Sequence, residues 1–167
     1  MSNDDFVLRL SALPLGRHTM SGGLRFELLD SAEETEPFDL ASVADIDNLG
    51  ARIHVRVRVQ GRAQSTCHRC LGRFERPVEA EFELTLQKRG EEAGENFVSL
   101  SENDVEYDLA PNVREAVILE EPIQLLCDPG CRGLCSRCGA DLNVGPCGCR
   151  PAEDPRWAPL EDLRRSL

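Results

Sequence analysis

The segment Arg52-Ile-His-Val-Arg-Val-Arg-Val-Gln60 decides the fold that this sequence predicts. Its apolar residues occupy every second position, and this alternation predicts a β-strand with one buried face. The segment from Val78 to Gln87 alternates in the same way, with glutamates on its polar side. The two apolar faces consist of Ile53, Val55, Val57 and Val59 in the first segment, and of Val78, Ala80, Phe82, Leu84 and Leu86 in the second.

These two strands are predicted to pair in an antiparallel hairpin. Because both apolar faces must share one core, every register that satisfies this condition sets the arginine row near the glutamate row. Opposite charges across neighbouring strands contribute about 0.2–1 kcal/mol per pair. The basic strand therefore has two interpretations, a row of structural ion pairs or a face that binds an anionic ligand.

A single helix is predicted from Asp104 to Glu121, followed by Pro122. Asp108 could cap its start, which would place Pro111 in the first turn, where a missing N–H group has little effect. The residues with helical spacing on one side are Val105, Leu109, Val113, Ala116 and Val117. The polar residues 88–103 before the helix are expected to form a loop.

We therefore expect an α+β protein in which an antiparallel β-sheet or open barrel from residues 5–88 packs on one central helix. The chain divides into an α+β domain at residues 1–126, a cysteine-rich zinc knuckle at 127–150 and a tail at 151–167. The hairpin tip of the first domain is a Cys-x2-Cys motif at residues 67–70. The tail is expected to form a short C-terminal helix.

The composition contains eight cysteines. Cys67 and Cys70 form the motif at the predicted hairpin tip, and six more lie within 23 residues after the helix, interleaved with glycines. Zinc knuckles use such glycines because the backbone must turn tightly while its N–H groups face the thiolates. The six are Cys127, Cys131, Cys135, Cys138, Cys147 and Cys149.

This spacing predicts two structural zinc sites with four cysteines each, because four thiolates complete the tetrahedral shell that Zn²⁺ prefers. One set is Cys135, Cys138, Cys147 and Cys149, and the other joins Cys127 and Cys131 to Cys67 and Cys70. His68 lies between Cys67 and Cys70 and could also be a ligand, although four cysteines would make it redundant. A Cys-x2-Cys motif can instead be redox-active, and eight cysteines in a secreted chain would suggest disulfides.

The overall composition indicates a soluble cytoplasmic protein. The chain has 167 residues, of which 41% are hydrophobic, enough for one domain with a small appendage. No apolar run approaches the ~20 residues that span a bilayer, and the acidic start lacks the cationic region of a signal peptide. The net charge of −11 argues against a general attraction of the whole surface to nucleic acid or anionic lipid.

One segment departs from this acidic character. Residues 51–76 contain seven arginines and one glutamate, Glu75, and they lie between two acidic stretches. We expect Arg69, Arg73 and Arg76 to be free cations around the hairpin tip, because Glu75 is their only acidic neighbour in the sequence. Together with Arg62, they are the candidate contacts for nucleic acid or for a partner.

Several motifs resemble those of one known family. They are Cys67-His-Arg-Cys70-Leu71, Pro122-Ile123, Cys131-Arg-Gly-Leu-Cys135-Ser-Arg-Cys138-Gly-Ala-Asp-Leu-Asn143, and Cys147-Gly-Cys149 followed by Asp154-Pro155-Arg156-Trp157-Ala158 and Leu160. The family is the bacterial YceD family, the large ribosomal RNA subunit accumulation proteins, in a form with an additional C-terminal zinc knuckle. Because some members lack the later knuckle, the resemblance implies that the second zinc site is a variable addition.

The resemblance implies a cytoplasmic ribosome biogenesis factor that supports the synthesis, processing or stability of large-subunit (23S) ribosomal RNA, with structural zinc. Its partner would be that RNA or a pre-ribosomal particle. The alternative is a zinc-stabilised adaptor that docks on a ribosomal protein without contacting RNA. The sequence offers no Walker loop, nucleophile elbow or H-E-x-x-H motif, and its three histidines are scattered, so we expect no enzyme. Neither a membrane nor a small-molecule substrate is expected as a partner.

Overall fold

The fold is seen in a computed structural model that describes residues 6–26, 38–88 and 96–149. These residues form seven strands and one helix. The elements are β1 (Val7–Arg9), β2 (Gly16–Phe26), β3 (Phe38–Asn48), β4 (Arg52–Thr66), β5 (Arg73–Lys88), β6 (Phe97–Leu100), β7 (Glu106–Asp108) and α1 (Ala110–Leu119).

The main layer is an open five-stranded sheet in the order β2-β3-β4-β5-β6, and β1 and β7 form a separate two-stranded ribbon. The α+β fold with an open sheet is thus confirmed. The strands from β2 to β5 are antiparallel, but β6 pairs with β5 in parallel, so the sheet is mixed rather than wholly antiparallel. The loop expected at residues 88–103 contains β6, because four residues are too few to show a strand periodicity in the sequence.

The predicted hairpin of β4 and β5 is confirmed, and it sets arginines opposite glutamates. Arg56 is in register with Glu83, and its Nη2 atom lies 2.5 Å from Glu83 Oε1. Arg58 turns to the other neighbouring strand, where its Nη2 atom lies 2.7 Å from Asp45 Oδ2 in β3. The arginine column of β4 therefore lies between acidic columns on both sides, so these two arginines form structural ion pairs.

The opposite face of the sheet forms the hydrophobic core. The helix α1 packs on β4 and β5 and buries Val113 and Val117 there. The backbone N–H of Leu109 donates to the Phe6 carbonyl at 3.1 Å, which joins the start of the helix to the β1–β7 ribbon. Buried strand residues under the helix layer include Ile53, Val55, Val57, Val59, Ala80, Leu84 and Leu86.

The helix is shorter than the sequence indicated. It begins at Ala110 rather than near residue 104, because Glu106–Asp108 pair with β1 as strand β7. Asp108 is consequently not the N-cap, although its Oδ1 atom accepts a hydrogen bond from the Ala110 N–H at 2.9 Å. Val105, expected on the buried face, is mostly exposed, whereas Pro111 lies in the first turn as predicted.

The described residues contain one helix, which has ten residues. This helix is not long and apolar enough to cross a membrane. The tail helix expected at residues 151–167 lies outside the described residues and stays a prediction. The division of the chain at residues 126 and 150 also stays a prediction.

Candidate metal centres

The structure brings the eight cysteines together in two groups of four. Within each group, the four sulfur atoms all lie within 4.8 Å of one another. The first cluster is Cys67, Cys70, Cys127 and Cys131, and the second cluster is Cys135, Cys138, Cys147 and Cys149. These are the two sets that the spacing predicted, so the geometry matches the predicted partition and each set could hold a metal ion.

The first cluster joins the hairpin tip between β4 and β5 to the segment that follows α1. The Cys67 Sγ atom lies 3.8 Å from Cys131 Sγ, and Cys70 Sγ lies 3.7 Å from Cys127 Sγ. The backbone supports the same junction, because the N–H of His68 donates to the Leu125 carbonyl at 2.8 Å. His68 itself is outside the group of four sulfurs, and its Nδ1 atom faces the Leu125 N–H at 3.4 Å.

The two Cys-x2-Cys turns have the same backbone geometry. In the first turn, the N–H of Cys67 donates to the Gly72 carbonyl and the N–H of Leu71 donates to the Cys67 carbonyl, both at 2.9 Å. In the second turn, Cys135 and Gly139 make the corresponding bonds, at 2.8 and 2.9 Å. The fourth residue after the first cysteine is left-handed in both, with φ +56° at Leu71 and +72° at Gly139.

Within each cluster, one thiol has a lowered pKa and another has a raised pKa. The N–H groups of Cys127 and Cys70 lower the pKa of the Cys67 thiol to about 6. The hydrogen bond to Cys70 raises the pKa of the Cys127 thiol to about 12. The shifts have opposite directions because a thiolate at Cys67 is stabilised by N–H donors, whereas the Cys127 thiol faces other sulfurs, and a bound cation would stabilise negative charge on the whole group.

The second cluster repeats this division. The N–H groups of Arg137 and Cys138 lower the pKa of the Cys135 thiol to about 6. The hydrogen bond to Cys138 raises the pKa of the Cys149 thiol to about 12. Backbone donors thus stabilise the first thiolate of each turn.

Gly133 couples the segment between the clusters to the first turn. It has a φ of +73°, and a Cβ atom at this position would lie 2.8 Å from the Arg69 carbonyl oxygen. The same carbonyl accepts a hydrogen bond from the Leu134 N–H at 3.0 Å, and Arg69 Nη1 donates to the Cys131 carbonyl at 2.9 Å. Arg69 therefore holds the first cluster against the start of the second.

Asn143 also connects the loop of the second cluster to the first cluster. Its Nδ2 atom lies 3.4 Å from Cys131 Sγ, and its Oδ1 atom accepts a hydrogen bond from the Arg132 N–H at 2.7 Å. An amide donor at a metal-ligating sulfur stabilises its negative charge and orients it. No pattern in the sequence signals this role, because Asn143 comes close to Cys131 only after the loop of the second cluster has formed.

The arginines expected at the hairpin tip are largely engaged within the fold. Arg62 Nη1 lies 2.5 Å from Glu75 Oε2. Arg76 is mostly buried and forms an ion pair with Glu121 at the end of α1, so the expectation that Arg76 is a free cation is wrong. Its acidic partner is 45 residues away in the sequence and could not be seen there. Arg73 also has an interaction partner in the structure.

Comparison with known proteins identifies related chains. The family model for the large ribosomal RNA subunit accumulation protein YceD matches residues 55–164. The chloroplastic YCED homolog 1 of Arabidopsis thaliana is 40% identical over 63 residues, which are 37% of this chain and 20% of the relative. The corresponding protein of Zea mays is 37% identical over 61 residues, which are 36% of this chain and 21% of the relative.

A protein of Mycobacterium bovis, which carries the name of an uncharacterised protein, is 29% identical over 158 residues. That match covers 84% of this chain and 75% of the relative. By contrast, the match with the plant proteins covers about a fifth of their length. No solved structure matches the chain.

The close approach at Gly133 predicts a large effect for a very small substitution. Gly133→Ala should lower the thermal midpoint of the metal-loaded protein and speed metal release, because its Cβ atom would push the Arg69 carbonyl away. Gly139→Ala is the matched control, since Gly139 has the same sign of φ but nothing within 4 Å of a Cβ atom. Differential scanning fluorimetry and chelator-driven metal release measure both, and equal effects of the two variants would contradict the steric explanation.

Proposed function

The chain belongs to the YceD family of large ribosomal RNA subunit accumulation proteins, and on that premise we propose that it is a cytoplasmic ribosome biogenesis factor. It supports the synthesis, processing or stability of large-subunit (23S) ribosomal RNA. The single observation that carries this proposal is the match of the family model over residues 55–164, which includes both cysteine clusters. The metal is proposed to be Zn²⁺, with one ion in each cluster.

The sulfur geometry supports zinc. Zn–S bonds of about 2.3 Å in a regular tetrahedron give sulfur–sulfur distances of about 3.8 Å. The distances between Cys67 and Cys131 and between Cys70 and Cys127 are 3.8 and 3.7 Å. Four cysteines fill the tetrahedral shell and leave no open position for a substrate, which is typical of structural rather than catalytic zinc. The proposal therefore includes no enzymatic activity.

A protein-binding adaptor is the second candidate function, and the arginine contacts favour it. The predicted phosphate-binding residues Arg62 and Arg76 already pair with Glu75 and Glu121. A guanidinium that is occupied by a carboxylate must break that pair before it can contact a phosphate. Binding to a basic ribosomal protein needs no such exchange, because most of the chain is acidic.

The zinc assignment predicts two zinc ions per chain in the protein purified under reducing conditions. Cys135→Ser should lose one ion and loosen the second cluster locally. Cys70→Ser should also lose one ion but destabilise the whole fold, because the first cluster ties the sheet to the segment after α1. Elemental analysis and thermal unfolding measure these effects. A protein without zinc, with its thiols oxidised in pairs, would contradict the assignment.

The role in ribosome biogenesis predicts that cells depleted of this protein have a lowered ratio of large-subunit to small-subunit ribosomal RNA. The wild-type chain and Ser136→Ala, a conservative change in the second turn, should restore the ratio. Cys70→Ser should not restore it, because the fold depends on the first cluster. Quantification of both RNAs provides the measurement, and an unchanged ratio after depletion would refute the proposed function.

The two candidate functions differ in their dependence on salt. If Arg62 and Arg73 bind RNA phosphates, the double variant Arg62→Gln, Arg73→Gln should flatten the slope of log affinity against log salt by about 0.7–0.9 for each phosphate that the protein no longer neutralises. The adaptor alternative predicts an unchanged slope for purified large-subunit RNA. Arg76 is left intact because its pair with Glu121 is mostly buried, whereas the pair of Arg62 with Glu75 is exposed and its loss should change stability little. Filter binding at several salt concentrations distinguishes the two outcomes.

A further inference from the structure

The stability of the first Cys-x2-Cys turn does not explain why position 71 is a leucine. It has a φ of +56°, and no other non-glycine residue of the described ranges has a positive φ. The equivalent position of the second turn is Gly139, so the same backbone is built there without strain. The Leu71 side chain is also 65% exposed and gains little from burial. A strained and exposed leucine in a rigid turn points to a role in contact with another molecule.

Two more large aliphatic side chains are exposed at the same end of the molecule. Ile123 is fully exposed and Leu119, at the end of α1, is 77% exposed. Their segment is fixed to the turn of Leu71 by the hydrogen bond from the His68 N–H to the Leu125 carbonyl and by the first cluster. Exposed aliphatic side chains indicate a protein interaction site when they are grouped rather than scattered singly, and the contacts above bring these segments together.

We propose that Leu71, Leu119 and Ile123, here called the apolar end, are a docking surface for a basic protein. The partner contributes apolar side chains to this surface and cationic side chains to its surroundings. Residues 115–128 contain four acidic residues and no basic residue, and one of the four, Glu121, pairs with Arg76. The chain around Leu119 and Ile123 therefore has a net negative charge. The proposal rests on the proposed function to the extent that the basic protein belongs to a pre-ribosomal particle.

The chemistry of the apolar end favours a protein over an RNA. Bases stack on aromatic side chains or on guanidinium planes, and the three residues of the apolar end offer neither. The nearby arginines Arg69 and Arg76 are engaged with the Cys131 carbonyl and with Glu121. The acidic residues of 115–128 would also repel phosphates and attract a basic protein.

The test uses variants whose effects on stability and on binding have opposite signs. Leu71→Gly should raise the thermal midpoint of the zinc-loaded full-length chain by about 2–4 °C, because it removes the left-handed strain. The double variant Leu71→Gly, Ile123→Ser should weaken binding to isolated large-subunit precursor particles at least tenfold. Val144→Ser is the matched control, since Val144 is similarly exposed but lies in the loop of the second cluster, and it should bind like the wild type.

A photo-crosslinking residue in place of Ile123 identifies what covers the apolar end in cells. A crosslink to a basic ribosomal protein supports the proposal. A crosslink to RNA, to a second copy of this chain or to residues 150–167 of the same chain overturns it, and so does the absence of any crosslink. Unchanged affinity of the double variant for the particles also overturns it.

Failure of the proposed function can be distinguished from failure of the docking surface. If the wild-type chain does not associate with precursor particles at all, the role in ribosome biogenesis fails. The crosslink from position 123 then decides the docking surface alone, because a basic protein from another assembly would still support it.

Discussion

The first cysteine cluster is the constraint on which the rest of the structure depends. It connects a Cys-x2-Cys segment to a Cys-x3-Cys segment, with a separation of 57 residues between Cys70 and Cys127. One segment is the tip of the β4–β5 hairpin and the other follows α1, so the cluster closes the loop that contains β5, β6, β7 and the helix. Closing such a long loop is unfavourable in entropy, and the free energy of binding a metal ion in this cluster would offset the cost. The Arg76–Glu121 pair strengthens the same junction beside the cluster.

Charge compensation explains why the basic segment is not a basic surface. The β4 arginines lie between Asp45 on β3 and Glu83 on β5, and Arg62 at the far end pairs with Glu75. Residues 51–76 therefore have a net positive charge only when the segment is considered by itself. In three dimensions its charge is largely neutralised by neighbouring strands, which shifts the interpretation of the protein from phosphate binding towards contact with a basic protein.

The two Cys-x2-Cys turns share one backbone conformation but differ in the residue at its left-handed position. Both turns use the same hydrogen bonds and a left-handed residue after the second cysteine, and glycine satisfies this requirement at Gly139. Leu71 satisfies it at the cost of strain. Two further contacts join the clusters: Gly133, which lies between them, packs closely against Arg69, and Asn143, in the loop of the second cluster, contacts Cys131. Loss of the second cluster would therefore also affect the first, although the two are separate groups of four cysteines.

The amino-acid sequence alone predicts the pairing of β4 with β5, two groups of four cysteines and the family, because each depends on a regular period or a short fixed spacing, whereas the register and the partition of the cysteines are seen only in the structure. It does not show that Arg76 meets Glu121 or that Asn143 reaches Cys131, since these pairs form only when distant segments pack. It also does not reveal β6 or the late start of the helix, where Val105 is exposed, because pairing with another strand overrides local preference. The exposure of Leu71 and Ile123 is likewise a result of tertiary packing, because an apolar residue in the sequence is buried only if another element covers it.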